Sequence, residues 1–256
     1  MTAPKPYFDD GQVALYVGDC REILPALGLE ADLVLADPPY GETSPAWDRW
    51  PDGWLEAAAT VSRSLWCFGS LRMFLAHAGE FTEAGWKLSH DGVLEKSAGS
   101  GPSKDRLRRV HETITHWYRG RWGDIYHVTP RVAHDGPNVG SRANGAVPHL
   151  TGGARKLRTW TDDGTRYART VMRAKANRGG LNIHPNQKPA HVLEVLISYG
   201  CPRGGLVVAP FAGSGSDLEA ARNLGRRAIG VELDPEQAEK AARRLSQATL
   251  FGEAAG

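Results

Sequence analysis

The sequence predicts an α/β fold: a central, mostly parallel twisted sheet with helices on both faces, interrupted by an irregular basic insertion. Short apolar runs without helical spacing, Ala31 to Ala36 and Gly205 to Ala209, read as strands buried on both faces. Helical patterns alternate with such runs, as crossover connections in a parallel sheet require. At 256 residues the chain can bury one large core and still carry an insertion.

Taken in order, Ala14 to Val17 reads as a strand with Asp19 just beyond its end, and Glu22 to Leu27 as a short helix. The next strand runs into Asp37-Pro38-Pro39-Tyr40. Two prolines fix the backbone and cannot continue a ladder, so the strand must stop there. An acid, outward carbonyls and an aromatic ring then stand at the carboxyl end of a central strand, the edge where open α/β sheets bind ligands. That set suits a planar group bearing an amine, with acceptors in its plane and a ring against its face. A proline-rich strand exit is the plain alternative. Gly41 to Pro51, with Trp47 and Trp50, forms a loop beside it. The loop is either a lid over the site or, for Trp50, a segment pinned by a buried ring.

Trp54 to Ser64 reads as a helix, Leu65 to Phe68 as a strand and Met73 to Ala84 as a helix ended by Gly85. Trp86 to Lys96 and Glu112 to Tyr118 alternate like the strands of an edge hairpin. Ser97 to Lys104 between them reads as a flexible Gly/Ser stretch leading to Arg106, Arg108 and Arg109. Arg121 to Gly180 has weak periodicity and reads as irregular, with Trp122, Tyr126, Trp160 and Tyr167 set among charges. Pro189 to Tyr199 is an amphipathic helix, Pro235 to Leu245 a closing helix, and Phe251 to Gly256 a tail.

The strand Gly205 to Ala209 leads into Pro210-Phe211-Ala212-Gly213-Ser214-Gly215-Ser216, a helix from Asp217 to Leu224, and a strand from Arg227 to Val231 ending at Glu232. A glycine turn opening a helix brings backbone close to a ligand and aims free N–H groups at it. The acid roughly twenty residues past the glycines is placed to accept hydrogen bonds from a ribose. Leu218 holds the place of a dinucleotide fingerprint's third glycine, and no Gly-Lys-Ser/Thr loop is present. This is a nucleoside site.

The net charge of +2 conceals a division. Residues 95–180 hold 17 Lys and Arg against 7 Asp and Glu, a net of +10, while the remainder holds 14 against 22, a net of −8. A basic block in an acidic chain reads as a polyanion-binding face, with a solvated loop region as the alternative. Three separated cysteines imply no disulfide framework and a reducing, cytoplasmic setting. No apolar run approaches a membrane span, and no signal-peptide pattern opens the chain. His111-Glu112-Thr113-Ile114-Thr115-His116 has one residue too many for a helical zinc pair, so no metal is expected.

These motifs together resemble the S-adenosylmethionine-dependent DNA amino-methyltransferases, the N6-adenine and N4-cytosine enzymes. Asp37-Pro38-Pro39-Tyr40 comes before the glycine turn, the order of the circularly permuted beta group. His184-Pro185-Asn186-Gln187-Lys188-Pro189 resembles that group's His-Pro-Thr-Gln-Lys-Pro, and His111-Glu112 and Gly18-Asp19 match further motifs. The resemblance spans residues 12–120 and 182–246. Two positions depart: Asn186 stands for Thr, and Ala209 for the Asp that usually precedes Pro-Phe. The second removes a carboxylate facing the methionine end of the cofactor.

The resemblance implies a Rossmann-like methyltransferase fold with a catalytic part at 1–120, a target-recognition insertion at 121–181 and a cofactor-binding part at 182–256. It implies S-adenosyl-L-methionine as cofactor and double-stranded DNA as substrate. Asp37 and the Pro38 carbonyl would accept the target amine's N–H groups, Pro39 would hold the turn, and Tyr40 would stack on the base. Asp19, Asp37, Lys188, Pro210, Phe211, Ala212, Gly213, Ser214, Gly215, Ser216 and Glu232 would bind the cofactor, with capping of its own helix as the alternative for Lys188. Trp47, Arg106, Arg108, Arg109, Arg155, Arg158, Arg173, Lys175 and Arg178 would contact DNA. Asp at the first tetrapeptide position favours adenine, with N4-cytosine as runner-up and a cofactor-free DNA-binding relative as a third reading. A second copy of the chain and a cognate restriction endonuclease are the protein partners this family leads one to expect.

Overall fold

A computed structural model describes residues 4–42, 48–96, 105–133, 163–174 and 187–252, with side chains to residue 247. In chain order the described elements are β1 (Phe8–Asp9), β2 (Val13–Val17), α1 (Cys20–Leu27), β3 (Leu33–Ala36), α2 (Trp54–Val61), β4 (Ser64–Gly69), α3 (Leu71–Glu83), β5 (Lys87–Glu95) and β6 (His111–Tyr118). They continue through a 3-10 turn (Trp122–Asp124), β7 (Arg131–Ala133), β8 (Thr165–Tyr167), β9 (Val171–Arg173), α4 (Ala190–Gly200), β10 (Leu206–Ala209), α5 (Ser216–Asn223), β11 (Arg227–Glu232) and α6 (Pro235–Gly252).

The chain divides into two compact units, residues 1–128 with 169–256, and residues 129–168. In the larger unit nine strands form one sheet in the order β1-β2-β11-β10-β3-β4-β6-β5-β9. The five from β2 to β4 run parallel, and β6 and β5 form an antiparallel hairpin against β4. Every residue of β3, β4 and β10 is buried, as a strand covered on both faces demands. Leu33, Leu35, Val207, Ala209 and Ala228 face α4, α5 and α6. Val34, Ala36, Leu65, Val208 and Val231 face α1, α2 and α3. The period-two alternation of each strand thus feeds two cores.

Local chemistry sets the element ends. Asp19 caps α1 by accepting from Arg21 N, and Ser70 caps α3 by accepting from Met73 N. Gly230 must be glycine, because a Cβ there would lie 2.6 Å from Leu218 Cδ1 and 3.0 Å from Ala212 Cβ. That gap lets α5 and the turn before it press onto β11.

Two expectations change. The stretch read as irregular contains short strands: β7 pairs with β8 within the smaller unit, and β9 joins the main sheet parallel to β5, with Val93 opposite Val171. Three-residue strands are too short to show a period, so sequence reasoning passes over them. The β5–β6 hairpin is consequently not the edge, because β9 covers β5. Ser97 to Lys104, His184 to Asn186 and the final four residues lie outside the described residues. Among the described residues no helix is long and apolar enough to cross a membrane.

Candidate active site

The sheet order creates the site. From β3 the chain turns toward β4, and from β10 it turns the other way, toward β11. Neighbouring parallel strands whose connections diverge leave a crevice at their carboxyl ends. Asp37 emerges there from β3, the glycine turn from β10 and Glu232 from β11.

Asp37 is held from two sides. Tyr40 Oη donates to its Oδ1 at 2.8 Å, and Lys188 Nζ lies 2.8 Å from its Oδ2. The same ammonium lies 3.1 Å from Glu112 Oε2, donates to Tyr40 Oη at 3.4 Å and sits 4.9 Å above the centre of the Phe68 ring. Lys96 pairs with the other oxygen of Glu112. Burial works against the charge on Lys188, but Asp37 and Glu112 outweigh it and hold its pKa above the ordinary lysine value. Burial likewise opposes ionised Glu112, yet Lys188 and Lys96 bring its pKa below the usual glutamate value. The Tyr40 hydroxyl is pushed well up by burial and by Asp37, so it remains a protonated donor. Lys188 makes no cap for α4, whose N-cap is Pro189. Two carboxylates hold it, one of them on the tetrapeptide Asp37 to Tyr40.

The glycine turn forms the second wall. Gly213 (φ 49°) and Gly215 (φ 72°) both take left-handed backbone. A Cβ on Gly215 would lie 3.3 Å from Ala241 Cβ, whereas one on Gly213 would have nothing within 4 Å. Gly215 therefore serves packing of α6, and Gly213 faces open space. Glu232 Oε2 accepts from Gly213 N at 2.7 Å and Oε1 from Asp234 N at 2.9 Å. Burial raises the Glu232 pKa despite those bonds. Phe211 packs edge-on against Trp54, with centroids 5.3 Å apart. Gly18 N donates to the Glu232 carbonyl at 2.9 Å, bringing Gly18-Asp19 beside the tip of β11. The Asp19 carboxylate caps α1 and takes a 2.5 Å contact from the Arg21 guanidinium, which lowers its pKa.

The adjoining loop is pinned. Buried Asp48 accepts from Gly41 N at 2.8 Å and Glu42 N at 3.0 Å. Trp50 Nε1 donates to Glu80 Oε2 at 2.6 Å, and its ring stacks on His77 at 4.1 Å. Trp50 is an anchor of this loop. Arg106 is exposed beside Asp105, Arg109 lies 3.3 Å from Glu42, and Arg173 lies 2.8 Å from Glu95. Arg108 is also exposed. Trp47, Arg155, Arg158, Lys175 and Arg178 lie outside the described residues. Sequence reasoning missed Glu112 as a site residue, although His111-Glu112 was itself a recognised motif. It also missed Asp48, which no family motif flags.

An acid held by a lysine and a tyrosine, a glycine turn and a strand-end glutamate, gathered at the switch point of a parallel sheet, define an α/β protein with its ligand crevice at the carboxyl edge. A family model for DNA methylases matches residues 31–243, and the chain belongs to that family, the N6-adenine/N4-cytosine DNA methylases. It is 24% identical to the type II methyltransferase M2.DpnII of Streptococcus pneumoniae, over 94% of this chain and 92% of that one. Among solved structures it is similar to the M1.HpyAVI–SAM complex, with a TM-score of 0.59 and 21% identity, covering 91% of this chain and 99% of the other. It is also similar to the cytosine-N4-specific PvuII DNA methyltransferase, with a TM-score of 0.64 and 17% identity, covering 95% and 90%. The protein is a DNA methyltransferase, with S-adenosylmethionine as cofactor and DNA as substrate.

Proposed function

We propose that this chain is a site-specific methyltransferase of the permuted beta group that methylates the exocyclic N6 of an adenine flipped out of duplex DNA. The observation that carries this reading is Asp37, fixed at the tip of β3 beside the glycine turn, with the Pro38 carbonyl next to it.

An exocyclic amine is a poor nucleophile because its lone pair is delocalised into the ring. Asp37 and the Pro38 carbonyl accept its two N–H bonds, favouring a more tetrahedral nitrogen with its lone pair turned toward the cofactor. Lys188 and Tyr40 orient the Asp37 carboxylate for that task. Bound S-adenosylmethionine supplies a methyl group on a cationic sulfur, already an excellent leaving group. Position and electrostatics therefore carry the step: the new N–C bond forms as the C–S bond breaks, the sulfur leaves as a neutral thioether and the nitrogen gives up one proton to solvent, without a covalent enzyme intermediate. Glu232 would receive the ribose hydroxyls, and the turn from Pro210 to Ser216 would hold the methionine portion. The open space at Gly213 and the left-handed turn fit such a ligand. Tyr40 presents a ring to the base, and flipping costs a few kcal/mol that binding to DNA must offset.

The insertion at 121–181 reads the target sequence, and the basic block of residues 95–180 docks on phosphates. Self-association and a cognate endonuclease are the protein partners this reading expects, inside the cell. One observation favours a second reading, N4-cytosine methylation: the cytosine-N4-specific PvuII enzyme is the solved structure of TM-score 0.64. Nucleoside mass spectrometry on DNA from an expressing host separates them. N6-methyladenine supports the first reading, N4-methylcytosine the second, and a genome bearing neither overturns both.

A further inference from the structure

The rim of the crevice carries a short segment, Asp105 to Val110, that leads into β6. Because β6 runs antiparallel to β4, its first residues lie at the carboxyl end of β4, with Thr113 opposite Gly69. Contacts on either side fix the segment there. Lys96 N donates to the Val110 carbonyl at 2.7 Å, and Glu112 shares the Lys188 ammonium with Asp37. Arg109 Nη1 lies 3.3 Å from Glu42 Oε2, and the other oxygen of Glu42 accepts from Ser70 Oγ. Glu42 stands two residues beyond Tyr40, its backbone N–H bonded to Asp48. Arg109 is therefore tied to the loop that continues the tetrapeptide.

Leu107 lies on this segment and is 95% exposed, more than any other large apolar residue among those described. Two residues of chain span at most about 7 Å, so its backbone stands within that distance of Arg109, at the rim. A single exposed leucine is ordinary on a protein surface. Its setting is not, for Arg106, Arg108 and Arg109 surround it, all of them exposed. Cations suit phosphates, whereas an apolar side chain gains from contact where bases stack. A base drawn out of the duplex to reach Asp37 leaves a gap between its neighbours, and a side chain of leucine's size can fill it.

We propose that Leu107 is a positioning residue for base extrusion, entering the duplex where the target base leaves. Arg109 uses one donor on Glu42 and has others for the adjoining phosphate, so it sets the wedge beside the crevice. The wedge rests on reading Asp37 as the acceptor for an extruded base.

The test uses the sequence found methylated in an expressing host, as a duplex in two forms. In one the target base is paired; in the other it faces an abasic site, where extrusion costs little. In single-turnover methylation, Leu107→Ala should be about tenfold or more slower than wild type on the paired duplex and close to wild type on the abasic one. Leu107→Phe, still apolar, should retain most of the paired-duplex rate. 2-Aminopurine placed next to the target should brighten when wild type binds and stay dim with Leu107→Ala, because its stacking is then undisturbed. The salt dependence of DNA binding should not change, since no phosphate contact is lost. Leu88→Ala removes an exposed leucine at the other end of β5 and should match wild type on both duplexes. Equal slowing of Leu107→Ala on both duplexes would mark a residue that merely supports the segment and would overturn the wedge. Wild-type rates on both would overturn it too. Asp37→Ala separates this result from the function itself and should be slow on both duplexes. Full activity on the abasic duplex would remove Asp37 from the chemistry, and the wedge would lose the site it serves.

Discussion

Lys188 Nζ lies 2.8 Å from Asp37 Oδ2 and 3.1 Å from Glu112 Oε2, so one buried ammonium holds the Asp37 loop to the hairpin strand β6. Lys188 lies just before α4, Asp37 just after β3, and Glu112 near the start of β6, three elements remote in sequence. Each carboxylate is tolerable in the crevice because the other's counter-charge is shared.

Replacing Lys188 by Met should therefore cost about 3 kcal/mol of stability, as when one partner is removed from a buried pair. Denaturant unfolding should show a lower midpoint at unchanged slope. Adding Glu112→Gln to that variant should recover part of the loss, since it removes one of the two stranded charges. Additive losses would show that the two side chains do not interact.

Asp37→Ala should reduce methyl transfer about a hundredfold or more, the scale seen when a preorganised electrostatic partner is removed from a reaction centre. Cofactor affinity should stay within a few-fold, because Glu232 and the glycine turn remain in place. Single-turnover methylation alongside calorimetry makes the comparison. Near-normal turnover would remove Asp37 from the chemistry.

Glu232→Ala should weaken S-adenosylmethionine binding by about 1.5–3 kcal/mol, the worth of a charge-assisted acceptor. It also frees Gly213 N, which Glu232 holds at 2.7 Å. A dissociation constant matching wild type would place the ribose elsewhere.

The larger unit should lose stability in acid through His116. Burial, with His90 and His127, brings its pKa down to about 3, and its Nδ1 is buried without a partner while Nε2 lies 3.1 Å from Ser64 Oγ. The folded pKa is depressed below the unfolded value of about 6.5, so only the unfolded chain takes up the proton as pH falls between them. Stability should then drop by about 1.4 kcal/mol per pH unit from pH 6 toward 3 on this account alone. The non-titrating His116→Gln should flatten that slope when denaturation midpoints are followed against pH.

Much of this was legible in the sequence, and the failures share a cause. Asp37, the glycine turn and Glu232 were readable because each sits where a strand stops, and strand ends are marked locally by proline, glycine or a change of period. Lys188 was flagged by its motif, but its partner was not, because pairing between α4, β3 and β6 follows from sheet order. Asp48 gave no signal at all: its two bonds to Gly41 N and Glu42 N are turn geometry within one loop. The strands β7, β8 and β9 escaped because three residues cannot display an alternation.

DNA affinity should fall steeply with salt, by about 0.9 log units per log of salt for each phosphate neutralised. Replacing Arg173, Lys175 and Arg178 together by Ala should flatten that slope and weaken all duplexes alike. Arg173 is available for this, since its exposed pair with Glu95 is of a kind worth little in water. If the slope holds and the methylated sequence changes, these residues read bases instead.

The seam between β3 and β10 also has a consequence for how the enzyme comes into being. Leu206 N donates to Asp32 Oδ2 across 174 residues of chain, and Val207 and Val208 pair with Leu33 and Val34. Closing so long a span must precede its reward, which slows a fold dominated by distant contacts. Asp37 leaves the ribosome early, yet the wall opposite it arrives only after most of the chain has been made. A nascent chain halted before β10 has Asp37 but not the strand beside it, so the crevice between β3 and β10 is completed only late in synthesis.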